Sequence, residues 1–90
     1  MSIEQLQSLV TRNIRIALAA NDMKQKDLAN VIGITSASIS AKFSGKAHWN
    51  LVDIAKASEL LHISPEALIS VKLSPQLVGP QGLEPWTDGL

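Results

Sequence analysis

The stretch QKDLANVIGITSASIS, residues 25–40, determines the predicted fold of this chain. Apolar residues recur in its first half at helical spacing, which predicts a helix over residues 25–32. Gly33 can end that helix in the left-handed conformation, and Thr35 can cap a second helix over residues 36–44. Because so short a connection separates the two helices, we expect them to cross steeply, as in a helix-turn-helix unit.

Three residues of this unit meet specific steric demands. Ala29 is small where the two helices touch, Gly33 tolerates a positive φ in the turn, and Ile39 fills the space beneath. None of the residues on the outer face of the helix over residues 36–44 is expected to be needed by the core. That outer face carries Ser36, Ala37, Ser40, Ala41 and Lys42.

Three further helices are predicted around this unit. A capping box at Ser2 starts a first helix over residues 3–20. Asn50 is expected to cap a fourth helix. The buried stripe of that helix is predicted to consist of Leu51, Ile54, Ala55, Ser58 and Leu61. Ser64 and the proline after it begin a short fifth helix that extends to about Ser70.

The chain is interpreted as one domain followed by a tail. Residues 1–73 form the predicted all-α domain, because helical periodicity and capping signals end there. Beyond it, prolines alternate with glycines, and a helix cannot continue through them. We therefore expect residues 74–90 to be extended or flexible.

The chain has no cysteine and no net charge. The lack of cysteine excludes disulfides, thiolate metal sites and cysteine nucleophiles. Charge is unevenly distributed, since residues 12–46 contain six basic and two acidic side chains, whereas acids outnumber lysines from residue 50 onward. The basic half suits contact with nucleic acid, and an ordinary solvated surface is the alternative.

No pattern of residues indicates catalysis, a cofactor or a membrane span. His48 and His62 lack metal-ligand spacing, so we interpret them as surface or half-buried histidines and expect no metal. The serines of residues 36–44 have no base–acid pair in sequence to activate a nucleophile, and we expect no enzyme. The apolar stretch at residues 14–20 is too short for a bilayer, and the N-terminus shows no secretory signal.

Residues 25–40 resemble the helix-turn-helix motif of the lambda-repressor-like (Cro and XRE-type) DNA-binding domains. The family's spacing is matched by Gln25, Ala29, Gly33 and Ile39. Residues 43–46 resemble the usual exit from the recognition helix of that family, and residues 61–68 resemble the end of its fourth helix and its short fifth helix. The likeness covers about residues 12–69, and it implies a compact five-helix domain whose helix-turn-helix is formed by helices 2 and 3.

The resemblance implies a protein that binds DNA in the major groove, is usually dimeric, and represses transcription from phage or mobile-element promoters. Base contacts are implied for Thr35, Ser36, Ala37, Ser38, Ser40, Ala41 and Lys42. Contacts to the DNA backbone are expected from Lys24, Gln25, Lys26, Lys46 and Arg15. Gln25 would also support the recognition helix, and for Arg15 pairing with a surface acid is the alternative.

The chain departs from the family's pattern at two places. Lys24 stands where a serine or threonine cap is usual, so either the cap is weak or Lys24 and Lys26 face DNA phosphates. The base-contacting face has no arginine, glutamine or asparagine, so we expect modest discrimination per subunit and a larger contribution from dimerisation and DNA shape. Trp49 is expected either to pack under the fourth helix or to lie against the sugar-phosphate backbone.

The sequence therefore predicts a small phage or prophage transcriptional repressor, Cro-like or a short immunity repressor. It would bind double-stranded DNA as a homodimer in the cytoplasm of a bacterial host. The alternative is a protein-interaction module, such as an antitoxin or anti-repressor, which the zero net charge and the recognition face without bidentate side chains support. Residues 79–90 resemble peptides translated through the end of a transfer-RNA gene, and an apolar arm that docks on a partner subunit is the alternative.

Overall fold

The computed structural model describes residues 1–72, and their regular structure is entirely helical. The helices are α1 (Ile3–Ala20), α2 (Gln25–Ile32), α3 (Ser36–Ser44), α4 (Leu51–Leu61) and α5 (Pro65–Leu68). The predicted bounds of the first three helices are confirmed, whereas α5 ends before the expected Ser70. The expectations for residues 74–90 lie outside the described residues. Within residues 1–72, no helix is long and apolar enough to cross a membrane.

The helix ends are set by local side-chain and backbone signals. Thr35 Oγ1 accepts a hydrogen bond of 3.1 Å from the backbone N–H of Ser38 at the start of α3. At the start of α4, Asn50 Oδ1 accepts one of 2.8 Å from the Asp53 N–H. Gly33 and Gly45 end α2 and α3 with φ of 86° and 87°, a conformation that other residues adopt only with strain. Caps of this kind each stabilise a helix by about 1 kcal/mol.

One hydrophobic core joins the helices. Each helix contributes at least one side chain to it that is almost fully inaccessible to water, namely Ile14, Leu28, Ile39, Leu61 and Leu68. The helix α2 packs against α3 and α4, while α5 packs against α1 and α4. Burial of each such side chain contributes about 1.5–3 kcal/mol to the free energy of folding, so α3 is held in place by its inner face.

The buried face of α4 differs from the predicted stripe. Leu51 is 84% exposed and Ala55 is also exposed, whereas Asp53 and Ala57 are buried beside the expected Ser58 and Leu61. Ser58 and Leu61 are buried as predicted and Ile54 packs against the core, so the prediction was wrong at Leu51 and Ala55, where spacing along the helix did not locate the buried face. Asp53 lies inside because its carboxylate has partners there, which are described below.

A buried asparagine holds α5 against α1. The Asn13 Nδ2 group donates hydrogen bonds to the backbone carbonyls of Leu68 and Ser70, at 2.8 and 2.9 Å. Its Oδ1 accepts from Arg12 Nη1 at 2.8 Å. A four-residue helix such as α5 cannot be stable alone, so these hydrogen bonds to its C-terminal carbonyls help to keep it in place. Sequence analysis missed this role of Asn13.

Candidate DNA-binding surface

The turn between α2 and α3 has the geometry that its short sequence demands. The backbone N–H groups of Gly33 and Ile34 both donate to the Ala29 carbonyl, at 2.8 and 3.0 Å. Ala29 is 3% exposed and Ile39 is 1% exposed, so both lie in the contact between the helices and the core. The turn therefore orients α3 as the second helix of a helix-turn-helix unit.

The start of α3 presents an exposed face of small polar and apolar groups. The exposed side chains are those of Thr35, Ser36, Ala37, Ser38 and Ser40. Thr35 also donates from Oγ1 to Ser38 Oγ at 3.1 Å, so these two hydroxyls are already paired with each other. Ala41, one turn further on, is partly buried. Hydroxyl and methyl groups dominate this face, and it carries no charge.

Lys42 does not belong to that exposed face, contrary to the expectation that the core has no need of it. Its Nζ lies 2.6 Å from Asp53 Oδ2, and the two side chains are 12% and 4% exposed. The same Nζ donates to the backbone carbonyl of His48 at 2.9 Å. Lys42 therefore ties the end of α3 to the start of α4, because burial of Asp53 requires a partner of opposite charge.

Exposed cationic side chains precede and follow α3 along the chain. Lys24, Lys26 and Lys46 are all exposed. Lys24 makes no side-chain cap, as its sequence predicts, and the α2 N-terminus is completed by Asp27 Oδ2, which accepts from the Lys24 N–H at 2.8 Å. The remaining unpaired N–H groups at this end of α2 attract anions.

Arg15 lies beside the N-terminus of α2. Its guanidinium carbon is 4.9 Å from the centre of the Phe43 ring, a cation–π contact that orients the side chain. A shallow concavity of about 320 Å³ joins Arg15 to Lys24 and Gln25. Three of the residues predicted to contact DNA phosphates thus line one surface feature.

The loop of residues 45–50 follows α3 and is extensively hydrogen-bonded. Its start is closed by the N–H groups of Lys46 and Ala47, which both donate to the Ala41 carbonyl at 2.9 and 3.1 Å. Its end is anchored by Trp49, which is 3% exposed. Lys46 and His48 remain exposed on the loop.

Of the two placements considered for Trp49, the structure shows the interior one, with contacts to α1 and α3. The indole Nε1 donates to Thr11 Oγ1 at 2.9 Å, and the ring meets the Phe43 ring edge-on at 5.1 Å. The Gln7 amide accepts from the Trp49 N–H at 2.6 Å and donates to its carbonyl at 3.1 Å.

Sequence analysis missed the parts played by Gln7, Thr11 and the Asp53 carboxylate. Gln7 and Trp49 are 42 positions apart, and nothing in a glutamine on a long helix indicates so distant a partner. For Asp53 a signal existed, since it lies three residues after the predicted cap Asn50, but its ion pair with Lys42 depends on how two helices meet.

Comparison with known proteins gives a family match. The family model described as the Cro/C1-type HTH DNA-binding domain matches residues 13–73. No curated protein and no solved structure matches the chain at a significant level. The matched segment contains the helix-turn-helix unit, the loop of residues 45–50 and the helices that support them. It also nearly coincides with the residues 12–69 on which the resemblance rested. The chain therefore belongs to the Cro/C1-type helix-turn-helix DNA-binding domain family.

Proposed function

We propose that this protein is a transcriptional repressor of phage, prophage or mobile-element type that binds operator DNA with α3 in the major groove. One observation carries the proposal: along the chain, the exposed start of α3 is preceded by the exposed Lys24 and Lys26 and followed, after the end of the helix, by the exposed Lys46. A recognition helix needs base-contacting side chains at its start and phosphate contacts around it. The family match supports the same assignment.

Base contacts are assigned to the exposed start of α3. The proposed base-contacting residues are Thr35, Ser36, Ala37, Ser38 and Ser40, with partly buried Ala41 at the margin. Serine hydroxyls can donate to or accept from any base, and alanine methyls can contact the thymine methyl group. Lys42 is left out of this set because its ammonium is engaged by Asp53 and by the His48 carbonyl.

Contacts to the DNA backbone are assigned to the surrounding cations. The proposed set is Lys24, Lys26, Lys46 and Arg15, together with Gln25 at the N-terminus of α2. Each cation that replaces a counterion on DNA makes binding more sensitive to salt. The orientation of Arg15 by Phe43 reduces the side-chain entropy that phosphate binding would otherwise remove.

A homodimer on DNA is part of the proposal. A single recognition helix without bidentate side chains discriminates weakly between base pairs. Two subunits on a palindromic operator would read two half-sites, about 34 Å apart, and so multiply that discrimination. The stoichiometry of the DNA complex, measured by sedimentation, tests this step directly.

The proposed function is tested by titrating the full chain onto duplex DNA from upstream of its own gene. Binding is measured by fluorescence anisotropy at two salt concentrations. The control is a shuffled duplex of the same base composition. We expect tighter, salt-sensitive binding to the upstream DNA by at least about a thousandfold. Weak and equal binding to both duplexes would overturn the proposal.

That outcome would favour a protein-interaction module of the antitoxin or anti-repressor kind. The specific observation in its support is that the exposed start of α3 lacks arginine, glutamine and asparagine. Co-purification with a partner encoded beside the gene would then be the next measurement.

Two variants separate the assigned roles. Lys26→Met should weaken binding to both duplexes. It should also reduce the magnitude of the slope of log K against log salt concentration by about 0.9 per bound chain. Ser40→Ala should change the preference between operator variants and leave the salt dependence as it is. The matched control is Lys72→Met, which removes a cation outside the proposed surface and should leave both quantities unchanged. Equal effects of the first two variants would contradict the assignment.

A further inference from the structure

The first turns of α1 precede the part of the chain that matches the family. The helix begins at Ile3, whereas the match begins at residue 13. These turns nevertheless contact the loop of residues 45–50, through Gln7 and Thr11. A segment outside the family match therefore touches the loop to which we assign a phosphate contact.

Gln7 makes an unusually complete contact with that loop. Its side-chain amide pairs with both backbone groups of Trp49, accepting from the N–H at 2.6 Å and donating to the carbonyl at 3.1 Å. Because Trp49 is 3% exposed, water cannot easily replace either partner. Loss of the amide would leave the Trp49 backbone without this support.

The backbone of the loop of residues 45–50 is held near both of its ends by hydrogen bonds, while side chains on it remain exposed to solvent. Near its start, Lys46 and Ala47 donate to the Ala41 carbonyl, and near its end His48 and Trp49 are bound by Lys42 and Gln7. The backbone of Lys46 is held at the start of the loop, and its side chain is exposed. A loop held in this way loses little conformational entropy when Lys46 meets a phosphate.

We propose that Gln7 is a positioning residue for DNA binding, which presets the loop of residues 45–50 so that Lys46 meets the DNA backbone without a prior ordering step. The inference rests on the proposed function, since it requires Lys46 to contact DNA. It adds that a residue outside the DNA surface and outside the family match sets the strength of that contact.

A double-mutant cycle between Gln7→Ala and Lys46→Met tests the proposal. The full chain is titrated onto the upstream duplex by anisotropy at several salt concentrations. We expect Lys46→Met to reduce the magnitude of the slope of log K against log salt concentration by about 0.9 per bound chain. Like Lys46→Met, Gln7→Ala should lower both the affinity for DNA and its dependence on salt concentration. In the Lys46→Met background, Gln7→Ala should change the affinity by less than about twofold, because the contact that it positions is already gone.

The matched control is Gln5→Ala, which removes a glutamine from the same helix. Gln5 Oε1 accepts from the Ser2 N–H at 2.8 Å in the α1 capping box and does not touch the loop. This variant destabilises α1 as well, so a merely structural role for Gln7 predicts the same DNA affinity for both variants. We expect Gln5→Ala to bind DNA like the wild type.

A second measurement reports on the loop itself. The chain has two tryptophans, so Trp86→Phe leaves Trp49 as the only one. In that background, Gln7→Ala should raise the quenching of Trp49 fluorescence by acrylamide, whereas Gln5→Ala should not. Circular dichroism at the assay temperature identifies folded variants. Should Gln7→Ala fail to fold, Gln7→Glu replaces it, because Glu keeps the acceptor for the Trp49 N–H and loses the donor to its carbonyl.

The outcomes separate this inference from the proposed function. If the wild type shows no preference for the upstream duplex, the proposed function fails and this inference fails with it. If the wild type binds as proposed, three results would overturn the inference alone: unchanged affinity of Gln7→Ala, equal losses for Gln7→Ala and Gln5→Ala, or additive losses for Gln7→Ala and Lys46→Met.

Discussion

The two ends of α3 differ in what their side chains touch. At the start, Ser36 and Ala37 are exposed, and Thr35 and Ser38 are hydrogen-bonded to each other. At the end, Phe43 is 7% exposed, and its ring contacts the Trp49 ring and the Arg15 guanidinium. Its neighbour Lys42 is engaged in an ion pair with α4.

The two ends of α3 are therefore expected to have different roles, in binding at the start and in support of the fold at the end. Side chains at the start can be changed with little effect on the fold, which suits a surface that contacts varied DNA sequences. Side chains at the end connect α3 to α1, α4 and the loop of residues 45–50, and so set its orientation. We expect substitutions at the end to lower the stability of the fold and those at the start, apart from the cap residue Thr35, to change binding alone.

The largest effect is expected at Phe43. Phe43→Ala should lower the free energy of unfolding by about 3–5 kcal/mol, because it leaves a cavity and removes the ring contacts to Trp49 and Arg15. Urea denaturation followed by circular dichroism measures the loss. Phe43→Leu is the control, since it keeps most of the apolar volume and should cost much less. A loss below about 1 kcal/mol for Phe43→Ala, the size of an average substitution, would contradict an anchoring role for this end of the helix.

A somewhat smaller effect is expected at the ion pair. Lys42→Met should cost about 3 kcal/mol, because it keeps the apolar stem and leaves the buried Asp53 carboxylate without its cation. Asp53→Asn should cost less, since the amide oxygen can still accept from the Asn50 N–H. Both variants should also weaken DNA binding. If Lys42 instead contacted a base, Asp53→Asn would release its ammonium and tighten binding, so the sign of that change decides between the two roles.

The smallest effects are expected at the start of α3. Thr35→Ala should cost about 1 kcal/mol, because it removes the cap of the Ser38 N–H. Ser36→Ala, one residue further on, should stay within about 0.5 kcal/mol of the wild type, because its exposed side chain supports no part of the fold. Thermal unfolding of the two variants side by side provides the measurement. A large loss for Ser36→Ala would show that this end also supports the fold.

The bounds of the first three helices were predictable because their signals are local. Gly33 and Gly45 adopt the positive φ expected of helix-ending glycines, and the caps at Thr35 and Asn50 form as expected. Each signal involves residues within one turn of the chain. The α4 stripe was mispredicted at Leu51 and Ala55, because spacing along the helix placed them inside and gave no reason to bury Asp53.

The candidate site was predictable only in part. The exposed residues at the start of α3 follow from helical periodicity combined with the turn at Gly33. Lys42 was expected on the same face, yet it lies against α4. Its assignment depended on a partner eleven positions away on another helix, and helical periodicity carries no information about such a partner.

The sequence by itself determined where the first three helices begin and end, and that two of them form a helix-turn-helix, because caps, glycines and apolar periodicity act over a few residues. Only the tertiary structure decided which polar residues lie inside and what they hold. Asn13, Gln7 and Asp53 each bind a segment distant in sequence. The physical reason is that burial of a polar group is favourable only when a partner is present, and that partner is supplied by the packing of helices against one another.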